Sequence, residues 1–157
     1  MVDEFFTLFV YGAAVVLVLG WAGCGFAISV SGVWRDRDRE IRLEQLGPIL
    51  WGRCEVPEGL QRYRGVVSFG RVLLKRRDFG EAHLRGLGFN EEQARLVDGN
   101  IMVRLRMRLV NDRLVGVLEG TRFQFAPNTA KIVSVTVTSP EDRTWVRSGS
   151  APLETGN

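Results

Sequence analysis

The chain has 157 residues, a formal net charge of +3, two cysteines and one histidine. Cys24 and Cys54 are not expected to meet, so no disulfide scaffold is indicated. Because His83 is the single histidine, the sequence holds no Cys/His cluster, which excludes a structural zinc site. We therefore expect neither a metal ion nor any other cofactor.

The first long segment, Phe5 to Trp34, contains no Asp, Glu, Lys, Arg or His. A bilayer core about 30 Å thick is crossed by roughly 20 apolar residues in a helix. The sequence therefore predicts a transmembrane helix at residues 5–34, after a short extracytoplasmic N-terminus at 1–4. A cleaved signal peptide is the alternative, but it requires a basic start and a shorter apolar segment.

The arginines near this segment predict its orientation. Four of them follow Trp34 closely, at positions 35, 37, 39 and 42, and none precedes Phe5. Since Lys and Arg near a helix end favour the cytoplasmic side, we expect a single-pass membrane protein with its N-terminus outside and its C-terminal domain in the cytoplasm.

Small residues within this segment recur at intervals that place them on one side of a helix. Small side chains allow transmembrane helices to approach closely, so the sequence predicts a docking face for an integral membrane protein. The proposed helix-docking residues are Gly20, Gly23, Cys24, Ala27 and Ser31. Tyr11 and Trp34 are the predicted interfacial anchors.

The remainder is predicted as a helical stalk, a β domain and a tail. Alternating Arg and Asp at residues 35–47 favour a solvated juxtamembrane helix, which ends at Gly47 and Pro48. Residues 48–138 show period-two alternation, typical of six or seven short strands, with a helical insertion at 80–98 that is N-capped by Asn90. Residues 139–157 are predicted to be mobile or bound to a partner.

The predicted fold class is one transmembrane helix followed by a small, mainly antiparallel β domain, either a partly open barrel or a sandwich.

We find no arrangement of residues that indicates catalysis. His83 is expected to be an exposed residue of a short helix, and the segment from Gly86 to Gly88 lacks the third glycine of a phosphate-binding loop. The protein is therefore not expected to be an enzyme.

The basic residues say more about function than the candidate catalytic residues do. Same-face arginines on a strand repel one another unless acids or an anionic partner offset them. Two sets of this kind are predicted to contact anionic lipid headgroups or an acidic partner: Arg62, Arg64, Arg71, Lys75, Arg76 and Arg77, and then Arg104, Arg106 and Arg108. The alternative is a solvated face on which Asp112, Glu119 and other acids pair with them. Nucleic acid is not expected, because the phenylalanines alternate inward instead of lying among the basic residues.

These observations predict a non-enzymatic accessory or structural subunit of a larger integral membrane protein complex. It would dock through its transmembrane helix and its basic cytoplasmic β domain. The alternative is a membrane-tethered cytoplasmic module that binds anionic lipid or a small anionic ligand. Lys75-Arg76-Arg77 is similar to the arginine-rich segment of PilZ cyclic-dinucleotide receptors, but the Asp/Asn-x-Ser-x-x-Gly motif of that family is missing.

Overall fold

A computed structural model describes residues 28–148, which form nine β-strands and two short helices. The strands are β1 Gly32–Asp36, β2 Arg39–Leu46, β3 Ile49–Val56, β4 Gly59–Ser68, β5 Arg71–Phe79, β6 Met102–Val110, β7 Arg113–Phe125, β8 Ile132–Val137 and β9 Glu141–Arg147. The helices, α1 Glu81–Gly86 and α2 Glu91–Val97, connect β5 to β6.

Eight of these strands close into an antiparallel barrel. Strands β1 to β6 each pair with the next strand in the chain, and β6 then pairs with β7. The ring is completed by β9, which pairs with β7 on one side and with β1 on the other. Strand β8 stands outside the ring and pairs only with residues 121–125 of β7.

Inward-facing glycines allow the sheet to curl tightly enough to close. A Cβ atom on Gly52 would overlap the backbone of Arg42, and one on Gly65 would overlap the carbonyl oxygen of Leu73. Glycine inside a strand is typical of places where another backbone approaches closely. These positions therefore act as corners of the barrel.

Three large aromatic side chains fill the interior. Trp34 from β1, Tyr63 from β4 and Trp145 from β9 are almost completely buried. The rings of Tyr63 and Trp145 meet edge to face, with centroids 5.7 Å apart. The indole N–H of Trp34 donates a hydrogen bond to the carbonyl oxygen of Val30 at 2.8 Å. Because the centre of the barrel is filled by side chains, it is a packed core.

The two helices close one end of the barrel. Leu84 from α1 and Ala94 and Val97 from α2 are fully buried in the same core. Asn90 caps α2: its side chain accepts a hydrogen bond from the backbone N–H of Gln93, whose side chain bonds back to the Asn90 N–H. The N-cap predicted at Asn90 is thus present, and Gln93 completes a capping box with it.

The other end is covered by residues 28–31, which lead into β1. The Arg147 guanidinium donates hydrogen bonds to the carbonyl oxygens of Ser29, at 2.8 Å, and Ser31, at 3.2 Å. The same guanidinium lies 4.7 Å from the centroid of the Trp34 ring. Arg147 therefore fastens this segment to β9 where the barrel closes.

The predicted fold class is wrong in two respects. Residues 32–46, which were assigned to the end of a transmembrane helix and to a helical stalk, form β1 and β2. Here Ile41 and Leu43 are buried and their neighbours Glu40 and Arg42 are exposed, which is the period-two pattern of a strand. In addition, the β domain is a closed eight-stranded barrel, neither partly open nor a sandwich. Glu141–Arg147, within the predicted tail, is one of its strands.

The predicted single-pass membrane localisation is contradicted as well. Neither α1 nor α2 has the length or the apolar composition needed to cross a bilayer, and residues 28–148 contain no other helix. Residues 28–34 of the predicted span lie in the barrel and the segment leading to it. The rest of that span, residues 5–27, is outside the described part of the chain.

The corner glycines make a direct prediction. Gly65→Ala is expected to destabilise the protein by about 3 kcal/mol, because the new methyl group overlaps the backbone of β5. Gly86→Ala is the matched control: a Cβ atom there meets no atom within 4 Å, so a change within about 0.5 kcal/mol is expected. Urea unfolding followed by tryptophan fluorescence measures both. Equal losses in the two variants would contradict the corner role.

Candidate functional site

The outer surface of strands β2 to β6 is strongly basic. Alternation places the hydrophobic residues of these strands inside the barrel and sends the intervening residues outward. The cationic side chains among these outward residues are all exposed. We call this surface the basic face; it comprises Arg42, Arg53, Arg62, Arg64, Arg71, Lys75, Arg77, Arg104, Arg106 and Arg108.

The register of the strands arranges these cations in rows. In the first row, one arginine per strand stands directly opposite the next: Arg42, Arg53, Arg62 and Arg77. The second row runs beside it and contains Trp51, Arg64, Lys75 and Arg104. Directly opposite residues in an antiparallel pair are about 5 Å apart, and successive outward residues on one strand are about 7 Å apart. The first row thus places four arginines across β2 to β5. The second row places three cations across β4 to β6, and its ends meet Glu44 on β2 and Glu119 on β7.

Three outward carboxylates, Glu40, Glu44 and Glu55, lie on β2 and β3 beside these cations, but within residues 28–148 none of them forms an ion pair with the basic face. Within residues 28–148, Arg106 is the only member of the basic face that forms an ion pair, at 2.6 Å from Glu119. Asp112, the other acid expected to neutralise these arginines, pairs with Arg147 at 3.5 Å. Like charges directly opposite each other destabilise a sheet. Repulsion among the four arginines of the first row therefore lowers the stability of the folded barrel.

A groove of about 660 Å³ lies on this face. Trp51, Arg53, Arg62 and Arg64 line it, together with the backbone-only positions Gly52 and Gly65. Trp51 is 38% exposed, and its indole N–H donates a hydrogen bond to the Glu44 carboxylate at 2.8 Å. This bond fixes the plane of the ring next to the arginines.

One arginine of the groove is positioned by an aromatic ring. The Arg62 guanidinium carbon lies 5.0 Å from the centroid of the Phe79 ring, within the range of a cation–π contact. A guanidinium that rests on a ring by its face keeps its N–H edges available for an anion. Among residues 28–148, Arg62 thus has an aromatic contact and no ion pair.

The structure brings together eight of the nine basic residues that the sequence singled out. The exception is Arg76, whose side chain points into the barrel and forms an ion pair with buried Asp78 at 2.8 Å. Sequence reasoning missed Arg42, Arg53 and Trp51. Arg42 had been assigned to a helix, although Ile41 and Leu43 on either side already showed the alternation of a strand.

The residues of the predicted helix-docking face lie mostly beyond the described residues. This holds for Gly20, Gly23, Cys24, Ala27 and the predicted anchor Tyr11. Ser31 precedes β1, and its carbonyl oxygen accepts a hydrogen bond from Arg147. Trp34, predicted to be the second interfacial anchor, is instead fully buried in the barrel core.

The barrel interior contains a small polar cluster next to Arg76 and Asp78. The Tyr63 hydroxyl donates a hydrogen bond to the Gln61 side-chain oxygen at 3.1 Å, and both residues are buried. Burial raises the pKa of the Tyr63 phenol far above its ordinary value. It raises the pKa of the buried Cys54 thiol too. Both groups are therefore held in their neutral forms.

His83 is buried, contrary to the expectation of an exposed helical histidine. It belongs to α1 and packs against Gly59, and no residue among 28–148 offers a hydrogen-bond partner to its Nε2 atom. Within the same residues, no group of three His, Cys, Asp or Glu side chains is placed to hold a metal ion. His83 is thus a packing residue at the closed end of the barrel.

Comparison with protein-family models, with curated proteins and with solved structures finds no match to this chain. The basic face and its groove are therefore the features that bear on function.

Repulsion within the first row predicts that removing one arginine stabilises the protein. Arg53 stands between Arg42 and Arg62, so Arg53→Thr is expected to raise the unfolding free energy by about 0.5–1 kcal/mol at about 10 mM salt. In about 1 M salt the gain should largely disappear. Arg106→Thr, which removes the ion pair with Glu119, is the control and should give no gain. A gain of equal size in both variants would argue against repulsion in the row.

The neutral state of Tyr63 predicts a loss of stability at alkaline pH. Above the ordinary phenol pKa of about 10, the unfolded chain releases the proton while the folded protein retains it. The contribution of Tyr63 to the unfolding free energy is therefore fully present below about pH 10 and is lost as the pH rises further. Tyr63→Phe should cost about 1 kcal/mol at neutral pH, by loss of the bond to Gln61, and should make the decline above pH 10 shallower. Urea unfolding at a series of pH values measures this, and an unchanged slope would contradict it.

Proposed function

We propose that the barrel is a binding module for a linear anionic ligand that lies along the basic face. The observation that carries this proposal is the row of Arg42, Arg53, Arg62 and Arg77, which are consecutive cross-strand neighbours without an ion pair among residues 28–148. A row of charges across four strands spans about 15 Å, at roughly 4.8 Å per strand. A ligand with regularly spaced negative charges fits such a row better than a single ion does.

The uncompensated charge also supplies the driving force for binding. An anion placed along the row removes the repulsion between neighbouring arginines and gains charge-assisted hydrogen bonds. Guanidinium groups suit this purpose, because their planar N–H edges match phosphate and carboxylate oxygens two at a time. The proposal is one of binding and not of catalysis, since the side chains that converge on the groove are mainly cations and apolar groups.

This proposal keeps only part of the function expected from the sequence. It retains the small-anionic-ligand alternative in the form of an extended anion. The role of an accessory subunit in a membrane complex depended on docking through a transmembrane helix, and we do not propose it.

Charge reversal in the groove tests the proposal. Arg62→Glu is expected to weaken the binding of inorganic polyphosphate to the full chain about tenfold or more, because one charge-assisted contact is lost and a repulsive one appears. Arg122→Glu, an exposed position in the β7 segment that pairs with β8, changes the net charge by the same amount and should have little effect. Fluorescence anisotropy with labelled polyphosphate measures the dissociation constants of the two variants. Equal weakening by the two variants would indicate attraction to the net charge alone and would refute a site on the basic face.

A further inference from the structure

We infer, on the basis of the proposed function, that the anionic ligand is single-stranded nucleic acid, with a base stacked on Trp51 and phosphates on the adjacent arginines. The inference rests on an aromatic and apolar surface that runs beside the two rows of cations.

Trp51 is the first part of this surface. The other two tryptophans among residues 28–148, Trp34 and Trp145, are fully buried, whereas Trp51 points outward from the middle of β3. Its cross-strand neighbours are Glu44 on β2 and Arg64 on β4. An exposed indole held in one orientation among arginines is suited to stacking with a flat ring, and it has no role in the core.

An apolar strip forms the second part. Ile49, Val66 and Leu73 are consecutive cross-strand neighbours on β3, β4 and β5, and they are 56%, 44% and 50% exposed. This strip lies one outward position beyond Trp51, Arg64 and Lys75. Along β4, the outer surface therefore changes from the arginine row, through the mixed row, to the apolar strip. On β6 this strip meets Arg106, and Arg71 and Arg108 stand opposite each other beyond it.

That order matches the two sides of a single strand of nucleic acid. Its sugar–phosphate backbone carries one negative charge per nucleotide, and its unpaired bases expose flat apolar faces. With the phosphates along the arginine row, the bases lie toward Trp51 and the apolar strip. A groove of about 660 Å³ is in the range that accommodates nucleotide-sized ligands.

Other linear polyanions use only half of this surface. Polyphosphate has no flat apolar group to place on Trp51. A double helix keeps its base faces stacked inside and presents phosphates, so it leaves the apolar strip uncovered. From the sequence, nucleic acid was not expected because the phenylalanines were predicted to face inward; Trp51 supplies the exposed aromatic residue that this interpretation lacked.

A comparison of ligands and variants on the full chain tests the inference. The probes are a labelled oligothymidylate of about ten nucleotides, inorganic polyphosphate of similar charge, and a DNA duplex. For the wild type we expect the oligothymidylate to bind most tightly, to quench Trp51 fluorescence, and to show a salt slope near −0.7 per phosphate contacted. Trp51→Leu should weaken oligothymidylate binding by about fivefold or more and leave polyphosphate binding within about twofold.

Two further variants keep this test decisive. Phe69→Leu removes another exposed aromatic side chain, at the turn between β4 and β5 and outside the groove, and should change neither affinity. Trp51→Phe retains a ring for stacking and should recover most of the affinity, even if Trp51→Leu lowers the stability of the barrel.

Each remaining outcome has a distinct meaning. If polyphosphate or duplex binds as tightly as the oligothymidylate, or if Trp51→Leu does not discriminate between them, the nucleic-acid inference is overturned while the proposed anion-binding function stands. If none of the three probes binds, the proposed function fails and the inference fails with it.

Discussion

Closure of the sheet into an eight-stranded ring is the constraint on which the other features of this molecule depend. The interior of such a ring is narrow, and Trp34, Tyr63 and Trp145 already fill it. Every second residue of the ring must therefore face outward, whatever its charge. Because the strands pair antiparallel and in register, outward residues from neighbouring strands meet in lines. The closed barrel thus converts scattered arginines in the sequence into one continuous surface.

Strand β5 carries cationic side chains on both of its sides, and only the inward one has a carboxylate partner among residues 28–148. On β5, Arg76 is turned inside and is neutralised by Asp78, whereas its neighbours Lys75 and Arg77 are exposed without a carboxylate partner among the described residues. A buried charge must be paired, while an exposed one is tolerated in water at a modest cost. A fold that needed only stability would alternate acids with these outer cations. On β4 and β5 no outward position holds an acid, whereas β2 and β3 carry Glu40, Glu44 and Glu55 beside the basic face.

Local patterns predicted much of the β domain, and long-range pairing accounts for what they missed. Alternation in β6 correctly placed Arg104, Arg106 and Arg108 on one outward face. Residues 35–46 were misassigned because the uncharged run before them suggested a helix that would continue, although Ile41 and Leu43 indicate a strand. Closure could not be predicted, because it depends on β1 pairing with β9 at the far end of the chain. Trp51 was overlooked because its place among the basic residues depends on which residues of β2 and β4 stand opposite it, and only the strand register defines these.

The contact between Arg147 and the segment before β1 has a consequence for how the protein is made. The Ser31 carbonyl oxygen and the Arg147 side chain are 116 positions apart in sequence. On the ribosome, strands β1 to β6 can pair as each hairpin emerges, but they remain an open sheet with two unpaired edges, at β1 and at β6. Trp34 lacks its contact with the Arg147 guanidinium until translation has passed β9. The nascent sheet therefore exposes unpaired edges until late in synthesis, and the barrel closes only when β9 pairs with β1 and β7.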